Sequence, residues 1–161
     1  MRLRLLTGFL LLGVAVFSQE KERIDSINNL YIQGLNIPPD SILAIFQKNI
    51  KDAEKIGYEK GLADAYSSLG YAYSYQGKYD ETTKYSLKAI RIFEKLGMQN
   101  RIASYYAGLG YTMKYLDFEK AEDYMQKGMA IAELNHFEDE LKDIYNNYGV
   151  LKEINHELDS A

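Results

Sequence analysis

Apolar and aromatic positions recur every three to four residues along most of the chain. Leu62, Tyr66, Leu69 and Tyr73 make one such stripe, and Tyr85, Ala89, Phe93 and Leu96 make another. Recurrence near 3.6 residues predicts amphipathic α-helices with one buried face. The stripes break at Gln76-Gly77 and at Gly97, where glycine can close a helix in the left-handed conformation. The pattern therefore predicts one helix ending near Gln76 and another running from about Asp80 to Leu96. Asp117 is placed to cap a helix starting near Phe118. Pro38-Pro39-Asp40-Ser41 reads as a further helix start, with proline in the first turn and Asp40 or Ser41 as cap. The last predicted helix carries Leu141, Ile144, Tyr145, Tyr148, Leu151, Ile154 and Leu158 on one stripe. Asp143, Asn147, Glu153, Asn155 and Glu157 offer a polar face, so this helix is either a cap or half of an unfinished pair.

The predicted helices repeat. Leu69-Gly70-Tyr71 matches Leu109-Gly110-Tyr111 at a period of about 40, and Tyr79 and Tyr85 match Phe118 and Tyr124 at about 39. Tyr145, Tyr148 and Gly149 begin a third copy. "KNIKDAEKIG" (48–57) matches "KAIRIFEKLG" (88–97) as an earlier half copy. A unit of this length with two helices cannot bury its apolar face alone and has to stack on its neighbours.

On these residues the chain resembles the tetratricopeptide repeat family. Tyr66, Leu69, Gly70, Tyr73, Gly77, Tyr79 and Ala89 fit its pattern in one copy. Tyr106, Leu109, Gly110, Phe118, Ala121 and Tyr124 fit in the next. The resemblance covers about residues 40–157 and implies an all-α, right-handed solenoid of antiparallel helix pairs, with Gly70 and Gly110 allowing close approach near Thr82 and Ala121. The expected division is a half repeat at 40–60, repeats at 61–99 and 100–137, and a partial repeat or cap at 138–161. A capping helix (about 22–35) and linker fill 19–39. Thr82 and Gly128 stand where the family has alanine, Met113 replaces the tyrosine equivalent to Tyr73, and the closing proline is absent at Glu94 and Glu133. The period also exceeds the usual 34 or so, as in longer-helix bacterial regulatory members.

The N-terminus is of another kind. Arg2 and Arg4 precede an apolar run from Leu5 to Phe17 and then Ser18-Gln19-Glu20. A basic start, a short apolar stretch and a small residue predict a secretory signal peptide, residues 1–18. The run is too short for the roughly 20 helical residues that span a bilayer, so no membrane span is expected after cleavage. Cleavage lowers the 19 basic residues to 17 against 23 acidic ones, a net charge of −6. An acidic chain offers no basic face for nucleic acid. The absence of cysteine excludes disulfides, thiol chemistry and thiolate metal sites. The expected location is exported, in the periplasm of a Gram-negative bacterium.

The repeats divide the 15 tyrosines. Tyr66, Tyr73, Tyr79, Tyr85, Tyr106, Tyr124, Tyr145 and Tyr148 fall on packing positions. Tyr71, Tyr75, Tyr111 and Tyr115 lie off the stripe, paired at i and i+4, so that each pair shares a helix face. In the family that face lines the concave groove, which makes these four a candidate partner-binding ladder, with Ser67, Ser74, Lys114 and Asn146 as polar neighbours. The family's lysine–asparagine carboxylate clamp is absent, since its positions hold Ser67/Tyr71, Ala107/Tyr111 and Asn146/Val150. His136 and His156 lack carboxylates at a spacing suited to metal, and the acidic run 137–140 suits a helix start. No phosphate loop, nucleophile elbow or zinc motif occurs. The expected function is a non-enzymatic protein or peptide interaction module without cofactor, with self-association through the C-terminal helix as a further possibility. The alternative is the N-terminal sensor part of a longer membrane-bound histidine kinase or transcriptional regulator.

Overall fold

The computed structural model describes residues 2–30 and 37–159, with side chains from Val14 to Leu30 and from Ile37 to His156 apart from Pro39. Among the described residues the regular elements are all α-helices, joined by short turns. The helices are α1 (Arg2–Asn28), α2 (Pro39–Ile56), α3 (Glu59–Tyr75), α4 (Tyr79–Lys95), α5 (Gln99–Met113), α6 (Phe118–Leu134) and α7 (Glu138–Asp159). They stack in chain order as an all-α solenoid of helix pairs, α3 with α4 and α5 with α6, and α7 packs on both α5 and α6.

Short turns set this order. Gly57, Gly77 and Gly97 take φ of 65°, 68° and 68°, the left-handed closure expected of glycine after a helix. His136 occupies the equivalent place after α6 and takes φ 56°, in a region that costs a side chain energy. Asp117 caps α6, its side chain accepting the Lys120 amide at 3.0 Å. At α2 the expected side-chain cap does not form. Pro38 takes the N-cap position and no side chain bonds the first turn. Asp40 instead places its charge in that turn, where the helix dipole favours it.

The core runs between the layers. Phe46, Leu69, Ala89, Phe93, Leu109, Met125, Ile144 and Leu151 are fully buried or nearly so. The helix pairs are clamped where side chains vanish. A Cβ on Gly110 would stand 2.7 Å from the Ala121 carbonyl oxygen, and one on Gly70 3.3 Å from that of Thr82. Gly128, a departure in the sequence, has the same role, since a Cβ there would lie 2.7 Å from the Ala103 carbonyl oxygen. Tyr66 stacks on Tyr85, Tyr73 on Tyr85 and Tyr106 on Tyr124, with centroids 5.9, 5.6 and 6.1 Å apart.

Three expectations need correction. Leu96, expected inward, is the C-cap residue of α4 and is exposed. Tyr145, expected to pack, is half exposed, its hydroxyl donating to Glu133 at 2.8 Å. The polar face of α7 is met only in part: Asp143 and Glu153 are exposed as expected, whereas Asn147 and Asn155 are half-buried. The residues by which α5 meets α6 (Ala103, Tyr106, Ala107 and Gly110) become Lys142, Tyr145, Asn146 and Gly149 on α7, all exposed. Leu158 and Glu157 lie outside the described side chains.

The N-terminal segment is more than a linker. Residues 20–28 dock on α2 and α3 through Ile24, which is fully buried, and through a buried amide network. Asn49 donates to the Ile24 carbonyl at 3.0 Å and to the Asn28 side chain at 2.8 Å, and Asn28 donates to the Gly61 carbonyl at 2.9 Å. Arg23 pairs with Asp52 at 2.9 Å. Thus α1 supplies the first helix of the pair that α2 completes. Residues 31–35 of the expected capping helix lie outside the described residues. Ser18, the expected cleavage point, sits within α1, two residues before the docked part.

Candidate partner-binding groove

The groove opens between α3 and α5, with the first half of α4 as its floor. The two walls meet at one end. Asp64 of α3 pairs with Arg101 of α5, and Arg101 also donates to the Tyr105 hydroxyl at 3.1 Å. Tyr105 also lies flat on Phe93, centroids 5.4 Å apart. Burial pushes its phenol above the usual range, so it stays neutral here. Beyond that junction the walls enclose a groove of about 560 Å³, within the usual size range of ligand sites.

Tyr71, Tyr75, Tyr111 and Tyr115 all line it, with Ser67, Ser74 and Lys114. The four tyrosines are 50, 67, 41 and 73% exposed, whereas Tyr66, Tyr73 and Tyr106 are half-buried. On α3, Tyr71 and Tyr75 meet edge to face at 4.9 Å with their hydroxyls 2.8 Å apart. On α5, Lys114 lies over the Tyr111 ring at 3.3 Å and 5.0 Å from the centre of Tyr115, and donates to the Tyr111 carbonyl at 3.2 Å. The ammonium is thus held on the wall by a cation–π contact. Among the described residues Lys114 is the one charged side chain in the lining, and no carboxylate joins it.

Asn146 is not brought into the groove. It stands where Ala107 stands one repeat earlier, on the helix face that α5 turns toward Gly128 of α6; Asn147 lines the groove instead. Sequence reasoning also missed the floor, Thr82 and Ser86 of α4, and Ser104 and Thr112 of α5. Ser104 and Thr112 were legible in principle, since they share the face of Tyr111 and Tyr115 at helical spacing. The floor residues were hidden because they are small and polar yet buried.

Residues 61–133 match the family model for the tetratricopeptide repeat. The matched stretch takes in most of α3 through α6, and so both walls and the floor of the groove. The match supports a tetratricopeptide repeat family for this chain. Among solved structures, the chain is similar to BtubC (BKLC) from P. vanneervenii. The likeness has a TM-score of 0.49 and 17% identity, covering 99% of this chain and 78% of that one. No curated protein matches the chain.

Proposed function

We propose that the chain is an exported, non-enzymatic interaction module that holds an extended segment of a protein partner in the groove between α3 and α5. Tetratricopeptide repeats mediate protein–protein interaction, which supports the general reading. The observation that carries the specific one is the exposure of four tyrosines on the walls of a single groove. Tyrosine combines large apolar area, a polar tip and few rotatable bonds, so ordering it on binding costs little.

The basic and apolar N-terminus supports export to the periplasm, with cleavage after Ser18. No described helix is long and apolar enough to cross a membrane. A matched pull-down from envelope extract tests the binding claim. The native protein and a variant with Tyr71, Tyr75, Tyr111 and Tyr115 changed to serine are compared, with helicity checked by circular dichroism. A protein retained by the native form and lost by the folded variant supports the groove. Equal retention by both removes it as the binding surface.

A further inference from the structure

The outward face of α7 repeats a helix-receiving surface, and among the described residues no helix covers it. On α5 the equivalent face carries α6. A Cβ on Gly110 would stand 2.7 Å from the Ala121 carbonyl oxygen, whereas one on Gly149 of α7 would meet nothing within 4 Å. Beside Gly149, Tyr145 is 50% and Val150 38% exposed. The Tyr145 hydroxyl donates to Glu133 at 2.8 Å, which holds the ring in place. Its counterpart Tyr106 uses the same face to stack on Tyr124, centroids 6.1 Å apart. An anchored aromatic beside an open glycine suits the close approach of another backbone.

A further helix packed as α6 is packed would meet a difficulty. Ala103 and Ala107, both buried on α5, become Lys142 and Asn146 on α7. Covering these in the same way buries an ammonium and an amide, which is costly unless each is paired.

The face supplies such pairs to a copy of itself. Asp139, Lys142, Asn146, Gly149, Glu153 and His156 are all exposed. They alternate at spacings of three and four residues, the seam spacing of two supercoiled helices. A second α7 can be laid antiparallel about a two-fold axis between Asn147 and Tyr148. Lys142 then faces Glu153 of the second copy, Asn146 faces Gly149, and Tyr145 faces Val150. At the ends Asp139 faces His156. Every pairing occurs twice, as a two-fold interface requires. A parallel arrangement instead sets Lys142 on Lys142 and Glu153 on Glu153. The chain is acidic, with 23 acidic and 19 basic residues, so a seam that balances its own charges stands apart from the general surface.

We infer that α7 pairs antiparallel with α7 of a second copy, with Lys142 and Glu153 as reciprocal ion pairs and Gly149 as the point of close approach. The pairing does not depend on the groove being a partner site. A single helix face is small beside the ~800 Å² per partner of a standard interface, so the dimer is expected to be weak and to form at high protein concentration.

Sedimentation equilibrium of the full chain over a dilution series tests this. The native chain is expected to pass from monomer to dimer and no further. Lys142→Glu and Glu153→Lys each set like charges opposite one another twice and are expected to weaken association about tenfold. Mixing the two variants restores both ion pairs and, with them, the native dissociation constant. Gly149→Leu is expected to abolish the dimer and leave the fold intact by circular dichroism, since the space around position 149 is open. The sequence has no cysteine, so Asn146→Cys and Gly149→Cys report the register. Oxidation should crosslink the mixture of these two variants far faster than either alone. A chain that stays monomeric at every concentration overturns the inference. So does association that ignores the charge exchange and Gly149→Leu, the result expected if apolar residues 5–17 or another surface drove it.

Discussion

The Ala121 carbonyl oxygen occupies the space in which a side chain on Gly110 would begin, 2.7 Å from the ideal Cβ position. The same repeat position on α7 is Gly149, and a Cβ there would meet nothing within 4 Å. One substitution should therefore act in opposite directions at equivalent places. Gly110→Ala forces α5 and α6 apart and is expected to destabilise by about 1–3 kcal/mol, net of helix propensity. Gly149→Ala keeps only the propensity gain, about 0.5–1 kcal/mol. Urea denaturation of the two variants checks the sign of each.

His136 gives a complementary case. It holds the left-handed turn that glycine holds at Gly57, Gly77 and Gly97. His136→Gly is expected to relieve strain of about 1–2 kcal/mol, partly offset by the greater freedom of glycine in the unfolded chain. A higher urea midpoint is the expected result, and a lower one would show that the imidazole makes a contact that matters more than the backbone.

The docked part of α1 predicts a sharp boundary for truncation. Removing residues 1–18 leaves Ile24, Asn28 and their bonds in place, and the melting temperature should hardly move. Removing residues 1–28 takes away the fully buried Ile24, a loss of about 1.5–3 kcal/mol by itself. It also removes both acceptors of the Asn49 side-chain amide, the Ile24 carbonyl and the Asn28 side chain. A thermal melt of both truncations distinguishes an integral helix from a dispensable leader.

Two carboxylates tie the ends of the stack and make it acid-sensitive. The bond from Lys48, with Arg23 behind it, holds Asp52 below the usual carboxylate range, and Lys152, with Tyr148, does the same for Glu122. A depressed folded-state value means that the stabilisation is complete above the ordinary carboxylate range. It is lost as the pH falls through that range to the folded values. The urea midpoint should be level near neutrality and fall below about pH 4. An Asp52→Asn, Glu122→Gln double variant should start lower and fall less over the same interval.

What the sequence disclosed follows from the kind of signal each feature leaves. Glycines at Gly77 and Gly97, the cap at Asp117 and the repeated Leu-Gly-Tyr are local, and backbone geometry reads them directly. The tyrosine ladder was legible because Tyr71, Tyr75, Tyr111 and Tyr115 break the packing period in the same way twice. The place of α1 in the first helix pair was less visible, because its dock relies on Asn28 and Asn49, and buried polar residues leave no apolar stripe. Asn146 was misassigned for a geometric reason: one residue along a helix is about 100° of rotation, enough to move a side chain from the groove to the exposed outer face of α7. The outer stripe of α7 shows the same effect, with Lys142 and Asn146 exposed where α5 has the buried alanines Ala103 and Ala107.

The most direct test of the groove is positional photo-crosslinking in the native envelope. The photoreactive residue p-benzoylphenylalanine is placed at position 115, on the groove wall, and in a separate variant at position 91, on the exposed face of α4. Irradiation is predicted to give a discrete protein adduct from position 115 and none from position 91, with the adduct lost when Tyr71 and Tyr111 are also changed to serine. An adduct from position 91 alone, or one from position 115 indifferent to the other tyrosines, would contradict the assignment of the groove as the partner site.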